Sequence, residues 1–261
     1  MEIIWASFLG IIQGLTEFFP VSSSGHLTAL PWIINFRDPG LAFDIALHAG
    51  TLVAIILALK TDWITLTKSL FDKKAQSEHK LIGYLAITTI PAFLAGYFLE
   101  TKAETIFRSP LLVAATLSVF GAILWAVDTY LGQKDEIDKM DPKKALLVGL
   151  AQACAIIPGV SRSGATVTAA RALGFSREAS VRYSFLAALP VIAGATVFGL
   201  KDVPLAELTS SAWLFGFAAS LIVSFWAIKF LTKYVTKHNF NIFVFWRFGL
   251  SALIILIYLA R

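Results

Sequence analysis

Residues 158–166 read PGVSRSGAT and place one arginine, Arg162, among small and hydroxyl-bearing residues. Long apolar stretches flank this segment on both sides. A charged side chain at membrane depth costs roughly 2.5 to 3.5 kcal/mol, so such residues usually face a cavity or a partner. An arginine beside hydroxyl groups and glycine backbone is well suited to bind phosphate. We therefore interpret Arg162 as functional, whereas close helix packing is the alternative explanation for the small residues.

A second segment, PVSSSGH at residues 20–26, repeats this pattern at an offset of 139 residues. Six positions match in one register: Gly10 and Gly149, Gln13 and Gln152, Val21 and Val160, Ser22 and Ser161, Ser24 and Ser163, and Gly25 and Gly164. Such a match indicates an internal repeat. Three pairs in the same register are unlike: Ser23 and Arg162, Glu17 and Ile156, and His26 and Ala165. One copy therefore supplies a carboxylate and an imidazole, and the other supplies the guanidinium.

The composition predicts an all-α integral membrane protein. Hydrophobic residues make up 57% of the chain and charged residues only 15%, which lies outside the range of soluble domains. The net charge of +5 comes from lysines in short loops between apolar segments. That distribution is typical of membrane topology, and it argues against a nucleic-acid partner.

The apolar segments fall into spans and interrupted pieces. Six of them are long enough to cross a membrane, namely residues 41–59, 81–99, 110–131, 181–200, 211–231 and 242–260. The two motifs instead interrupt shorter apolar pieces, at residues 3–36 and 145–175. Short helices joined by a glycine- and serine-rich tip predict re-entrant hairpins, which occur where protein or water lines them.

The lysines give the topology. Residues 60–80, 132–144 and 229–237 are lysine-rich, which places them on the cytoplasmic side. Each half of the chain is then one hairpin followed by three spans, so the second half is inverted. We predict one membrane domain over residues 1–261, with a first repeat at 1–131 and an inverted second repeat at 145–261. In that architecture the two motif tips meet near the midplane.

The converged tips contain groups for phosphoryl transfer, which needs cations and donors on phosphate oxygens, a nucleophile and a proton acceptor. The predicted catalytic residues are Glu17, Ser23, His26 and Arg162. The predicted substrate-binding residues are Gln13, Ser22, Ser24, Gly159, Ser161, Ser163, Gly164 and Thr166. Glu17 is also the predicted ligand of a divalent cation. His26 is either the nucleophile or the base that activates a serine.

Four further charged or titratable residues receive structural interpretations. His48 follows Asp44 at i, i+4 spacing, which favours a satisfied pair in the core over a catalytic role. Arg171 and Arg182 flank the second motif and are interpreted as residues at helix ends whose charged groups reach the membrane surface.

The segments GLTEFFPVSSSGHL and PGVSRSGAT resemble the two signature regions of the undecaprenyl-diphosphate phosphatase family, also called bacitracin-resistance proteins. The resemblance covers essentially the whole chain. In that family the first motif supplies a Glu/Gln-x-x-x-Glu pair with a downstream Ser and His, and the second supplies Ser, Arg and Thr. The matching residues are Gln13, Glu17, Ser23, His26, Ser161, Arg162 and Thr166. Position 13 has glutamine instead of glutamate, which argues against a mechanism that needs two carboxylates there.

The resemblance implies a multi-pass enzyme of the bacterial cytoplasmic (inner) membrane. Its substrate would be undecaprenyl diphosphate within membrane lipid, hydrolysed to undecaprenyl phosphate and inorganic phosphate to recycle the lipid carrier of cell-wall synthesis. The resemblance further implies a site facing the outer side, a requirement for Mg2+ or Ca2+, and a homodimer. A lipid-phosphate flippase or anion transporter is the alternative, because inverted repeats with polar tips also form transporters.

Overall fold

The computed structural model of the chain describes residues 2–36, 40–104, 106–131 and 134–261. The helices formed within these ranges are α1 (Ile3–Thr16), α2 (Ser23–Ile34), α3 (Leu41–Ala58), α4 (Lys60–Ser69), α5 (Gln76–Glu104), α6 (Pro110–Tyr130), α7 (Pro142–Ala153), α8 (Arg162–Ala172), α9 (Arg177–Gly199), α10 (Leu205–Leu208), α11 (Ser211–Tyr234) and α12 (Asn241–Ala260). The predicted all-α class is confirmed.

Five of the described helices are long and apolar enough to cross a membrane: α5, α6, α9, α11 and α12. A sixth candidate span is α3 together with α4, which bends away from it by 75°. The chain is therefore a multi-pass membrane protein, as its composition predicts. Residues 60–80, expected as a loop, instead contain α4 and the start of α5.

Four shorter helices form two hairpins at the positions that the motifs predict. α1 and α2 contain 14 and 12 residues, and α7 and α8 contain 12 and 11. A membrane span needs about 20 residues, so none of these helices crosses a membrane alone. Each hairpin turns at its motif, and both tips lie inside the helical bundle.

Each hairpin packs against a long helix from the opposite half of the chain. α1 lies along α11, and α7 lies along α5. Both contacts depend on a glycine: a Cβ on Gly10 would lie 2.5 Å from the backbone oxygen of Gly216, and one on Gly149 would lie 2.7 Å from that of Thr88. Because glycine has no side chain, the backbones of the two packed helices can come into contact at these positions.

The largest apolar cluster lies next to the first tip and supports it. Phe18 and Val21 from that tip are fully or almost fully buried against residues of α8, α9 and α12. The Phe18 ring meets the Phe185 ring edge-on, with centroids 5.5 Å apart. Apolar packing therefore fixes the residues that lead into the polar tip.

Candidate active site

The two hairpin tips have the same backbone design. Ser22 and Ser161 precede α2 and α8 with φ angles of 74° and 73°, in the left-handed region that non-glycine residues rarely adopt. Each serine hydroxyl accepts a hydrogen bond from the backbone N–H three residues later, from Gly25 and Gly164, at 3.1 Å in both cases. These bonds cap the N-termini of α2 and α8, which lie next to each other.

Hydrogen bonds join the tips directly. The Gly159 N–H donates to the Ser22 hydroxyl at 3.0 Å, and the Ser163 hydroxyl donates to the Phe19 carbonyl at 2.9 Å. The prediction that the two motifs converge is thereby confirmed. Ser22 consequently caps its own helix and holds the opposite tip at the same time.

Arg247 of α12 strengthens this junction from one side. Its side chain is fully buried, and its guanidinium donates to backbone carbonyls of both tips and of α6. The accepting oxygens belong to Pro20, Thr116, Leu117, Gly159 and Val160, at distances between 2.8 and 3.4 Å. Sequence reasoning missed Arg247, although a lone charge in an apolar span is the same signal that identified Arg162.

Glu17 stands at the centre of the polar cluster. It follows α1 directly, and its side chain is only 6% exposed. Ser23 donates to Glu17 Oε2 at 2.6 Å, and Arg162 Nη2 donates to Glu17 Oε1 at 3.0 Å. Gln13, one turn earlier on α1, donates to Oε2 at 3.2 Å. The carboxylate thus joins a hydroxyl from one hairpin to the guanidinium of the other.

Arg162 keeps part of its binding capacity free. Its side chain is 11% exposed, and its buried Nη1 has no hydrogen-bond partner among the described residues. A buried donor without a partner is costly, so such a group usually serves a ligand. Beside it, α2 and α8 begin with N–H groups that lie outside their helical hydrogen-bond ladders, those of Ser23, Ser24, Arg162 and Ser163. These donors favour an anion at the junction.

His26 is buried at 7% exposure, and both of its ring nitrogens are engaged. Nδ1 lies 2.7 Å from the backbone oxygen of Ser22, and Nε2 accepts a hydrogen bond of 2.8 Å from the indole N–H of Trp246. No signal in the sequence pointed to Trp246, because a tryptophan in an apolar span is ordinarily a packing residue.

The predicted substrate-binding residues take different positions. Gln13 lies beside Glu17, whereas Ser22, Gly159 and Ser163 form the junction between the tips. Thr166 bonds the carbonyl oxygen of Arg162 at 2.9 Å and the hydroxyl of Ser184 at 2.6 Å. Three members of the set support their own tips: Ser24 pairs with Ser22, Ser161 pairs with Ser163, and Gly164 donates to Ser161. Direct contact with a ligand stays a prediction for all eight.

His48 also belongs to the site. Its Nδ1 bonds the backbone oxygen of Asp44 at 2.8 Å, and its Nε2 lies 4.0 Å from Glu17 Oε2. The Asp44 carboxylate lies 3.6 Å from Arg108 instead. The expected i, i+4 contact between His48 and Asp44 is thus present, through the Asp44 backbone oxygen, but the pair is not closed, since α3 directs the other ring nitrogen toward Glu17.

The two arginines that flank the second motif differ. Arg171 is 4% exposed and donates to Asp128 at 3.1 Å and to the Phe175 carbonyl at 2.8 Å. The expectation that its charged group reaches the membrane surface is therefore wrong. A buried carboxylate holds it inside the bundle. Arg182 is 58% exposed and pairs with Asp62, which agrees with its interpretation as a residue at a helix end.

The site offers oxygen donors for a hard cation. In the described part of the chain, no three His, Cys, Asp or Glu side chains cluster closely enough to hold a metal on their own. Glu17 is nevertheless flanked by Gln13, whose buried Oε1 has no partner within that part. Mg2+ is often held by one or two protein oxygens together with substrate phosphate oxygens. The residues present fit that arrangement.

Comparison with known proteins gives the family. The family model described as "Bacitracin resistance protein BacA" matches residues 6–253. The chain belongs to this family. A relative from Elusimicrobium minutum named "Undecaprenyl-diphosphatase" is 44% identical over 98% of each chain. Relatives of the same name from Pelotomaculum thermopropionicum and Moorella thermoacetica are 43% and 42% identical, and each alignment covers 100% of this chain. The resemblance that the two motifs indicate is confirmed.

Proposed function

We propose that this chain is a membrane-embedded undecaprenyl-diphosphatase. It hydrolyses undecaprenyl diphosphate to undecaprenyl phosphate and inorganic phosphate, and so recycles the lipid carrier of cell-wall synthesis. The names of its relatives supply the substrate. The observation that most strongly supports this chemistry is a hydrogen-bonded chain: Ser23 and Arg162 both donate to the Glu17 carboxylate. Arg162 Nη1 has no partner among the described residues, so it is available to bind phosphate.

Ser23 is the nucleophile in this proposal, and Glu17 is its base. The Ser23 hydroxyl already donates to Glu17 at 2.6 Å, whereas both nitrogens of His26 are occupied. Ser23 Oγ bonds to the terminal phosphorus while its proton passes to Glu17, and the bond from that phosphorus to the bridging oxygen breaks. Undecaprenyl phosphate leaves. Water then attacks the phosphoserine: its oxygen bonds to phosphorus, the bond from phosphorus to Ser23 Oγ breaks, and Glu17 returns its proton to Ser23 Oγ. Inorganic phosphate leaves with both protons of that water, and Glu17 is again a carboxylate.

Arg162 and the two helix N-termini bind the non-bridging oxygens. Negative charge accumulates there in the transition state, so donors fixed in a water-poor site stabilise it strongly. Arg162 Nη1 is the donor best placed for this task, because Nη2 is held by Glu17. The same bond orients the guanidinium before substrate arrives.

A divalent cation, Mg2+ or Ca2+, belongs to the proposal as well. Glu17 and the Gln13 carbonyl would hold it together with diphosphate oxygens. When bound, the cation supplies positive charge against the diphosphate. Glu17 and Gln13 would then be its protein ligands, without a second carboxylate.

The architecture we propose is an inverted repeat, with residues 1–131 and 145–261 as its copies. Two features support it: the capping serines share their geometry, and the packing is reciprocal, since α1 contacts α11 while α7 contacts α5. The lysine-rich loops support a cytoplasmic side opposite the first hairpin's opening. We place the enzyme in the bacterial cytoplasmic membrane with its site toward the outer side, in contact with membrane lipid, and as a homodimer.

Phosphate release tests the proposal. Purified protein in detergent is given a C55 or C15 prenyl diphosphate with and without Mg2+, and Arg162→Ala is the control. We expect metal-dependent release of inorganic phosphate by the wild type and loss of release in the variant. No release by folded wild-type protein would contradict hydrolysis and favour lipid or anion transport, which flux measurements in proteoliposomes would then test.

A further inference from the structure

Trp246 links the surface of the bundle to the buried site. It lies on α12, and 60% of its side chain is exposed among apolar neighbours such as Phe245. Its indole N–H donates to His26 Nε2 at 2.8 Å, and the two rings are almost parallel at 12°. A side chain that faces lipid therefore ends in a directed hydrogen bond to a predicted catalytic residue.

The hydrogen bond from Trp246 determines which nitrogen of His26 carries the proton. An indole nitrogen can only donate, so His26 Nε2 is the acceptor and carries no proton. The backbone oxygen of Ser22, 2.7 Å from Nδ1, can only accept, so Nδ1 carries the proton. His26 is thus a neutral imidazole whose two nitrogens both bind protein groups.

Ser22 connects His26 to the junction between the two tips. It has the positive φ of 74°, and its hydroxyl holds the N–H groups of Gly25 and Gly159. Strained backbone persists only where its surroundings hold it firmly. The bonded row runs from Trp246 through His26 to Ser22, and the nucleophile Ser23 is the next residue in the chain.

We infer that His26 and Trp246 are positioning residues, with Trp246 orienting His26 and His26 orienting Ser22 beside the nucleophile. In this role His26 exchanges no proton with substrate or water. The inference rests on the proposed hydrolysis and deepens it, since it removes His26 from proton transfer and leaves that role to Glu17. Displacing a reacting group by about 1 Å can cost 100-fold in rate, which is the scale of effect expected.

The first test compares His26→Gln with His26→Ala in the prenyl diphosphate assay. A glutamine amide accepts from an indole and donates to a carbonyl, but it does not transfer protons near neutral pH. We expect kcat of His26→Gln within about 10-fold of wild type, and of His26→Ala about 100-fold below it. If His26→Gln is as inactive as His26→Ala while the wild type is active, the positioning role is wrong and the proposed hydrolysis stands.

The second test removes only the indole donor. Trp246→Phe keeps an aromatic ring, so we expect kcat to fall about 10-fold with KM unchanged, which is the cost of one hydrogen bond. Trp226→Phe is the matched control, because Trp226 on α11 is 66% exposed and packs against Phe225. Equal kinetics for wild type, Trp246→Phe and Trp226→Phe would overturn the role of Trp246.

A spectroscopic signature separates this role from general destabilisation. In protein labelled with 5-fluorotryptophan, the 19F resonance of Trp246 is identified by its absence in Trp246→Phe. We expect that resonance to move in His26→Ala and to stay near its wild-type position in His26→Gln, while the Trp226 resonance stays fixed in both. An unmoved Trp246 resonance in His26→Ala would contradict the bond. Inactive wild-type protein would instead remove the proposed hydrolysis, and the inference with it.

Discussion

The two hairpin tips are alike in backbone and different in chemistry. Both begin a helix with a serine near φ 74°, and both cap it with a hydroxyl bond of 3.1 Å. In the 139-residue register, however, the first tip has Ser23 where the second has Arg162, and Glu17 where the second has Ile156. Neither hairpin alone is a site. The comparison teaches that two tips with the same backbone design can divide the groups of one candidate site between them.

Making the second tip more like the first should have the largest effect. Arg162→Ser replaces the guanidinium by the residue found at the matching position, so Glu17 loses its cationic partner. In the proposed mechanism, phosphate also loses its main donor. We expect kcat to fall by about 10³-fold or more. Phosphate release measures it, and Arg182→Ser, in an exposed ion pair outside the site, is the control. Activity near the wild-type level would show that the division of chemistry between the tips is unimportant.

Neutralising the first tip should have the next largest effect. Glu17→Gln keeps the size and hydrogen-bonding capacity of the side chain but removes the proposed base and the proposed metal ligand. We expect kcat to fall about 100-fold or more, together with weaker activation by Mg2+. The matched control is Asp62→Asn, which removes a carboxylate from an arginine pair far from the tips along the chain. Unchanged metal activation in Glu17→Gln would remove Glu17 as a ligand.

The membrane spans, the two matching tips and their charged residues could all be predicted from the sequence. Hydrophobic length identified the spans, and the shared Gly, Gln and Ser positions placed both tips in register. Charges in apolar surroundings identified Glu17 and Arg162 because burial of an unpartnered charge is so costly. The same reasoning did not reach His48, since its spacing from Asp44 offered a sufficient local partner and only the packing of α3 against α1 shows where the ring points.

Contacts distant in sequence account for the rest. Arg247 and Trp246 bond to groups more than half the chain away, on Pro20 and His26, and such contacts leave no periodic pattern in the sequence. Arg171 likewise finds its carboxylate on α6, which spacing within α8 cannot show. Membrane composition also hides Trp246, because a tryptophan is expected in an apolar span.

Close packing of the hairpins provides a smaller, symmetrical test. Gly10→Ala and Gly149→Ala each push a methyl group against backbone, of α11 and α5 respectively, so we expect each to destabilise the protein by about 1 to 3 kcal/mol. Thermal unfolding in detergent measures the loss. Gly83→Ala is the control, because a Cβ there meets nothing within 4 Å. A loss for only one of the two glycines would show that the repeats pack differently.

The capping serines should give the smallest difference. Ser22→Ala and Ser161→Ala both lose a cap and keep the same backbone strain, but only the Ser22 hydroxyl also holds the opposite tip through Gly159. We expect Ser22→Ala to be less stable than Ser161→Ala by about 1 kcal/mol, the value of one hydrogen bond. The difference between their unfolding midpoints checks this. Equal midpoints would mean that the bond across the tips contributes nothing to stability.

Arg247 has a consequence for biosynthesis. The carbonyls of Pro20 and Gly159 that it binds belong to hairpins translated well before α12. Synthesis proceeds from the N-terminus, so these hairpins are present in the nascent chain without the guanidinium that pairs with them. α1 likewise precedes its packing partner α11. The candidate site is therefore completed only when α12 is in place, although its serine and carboxylate belong to the first hairpin.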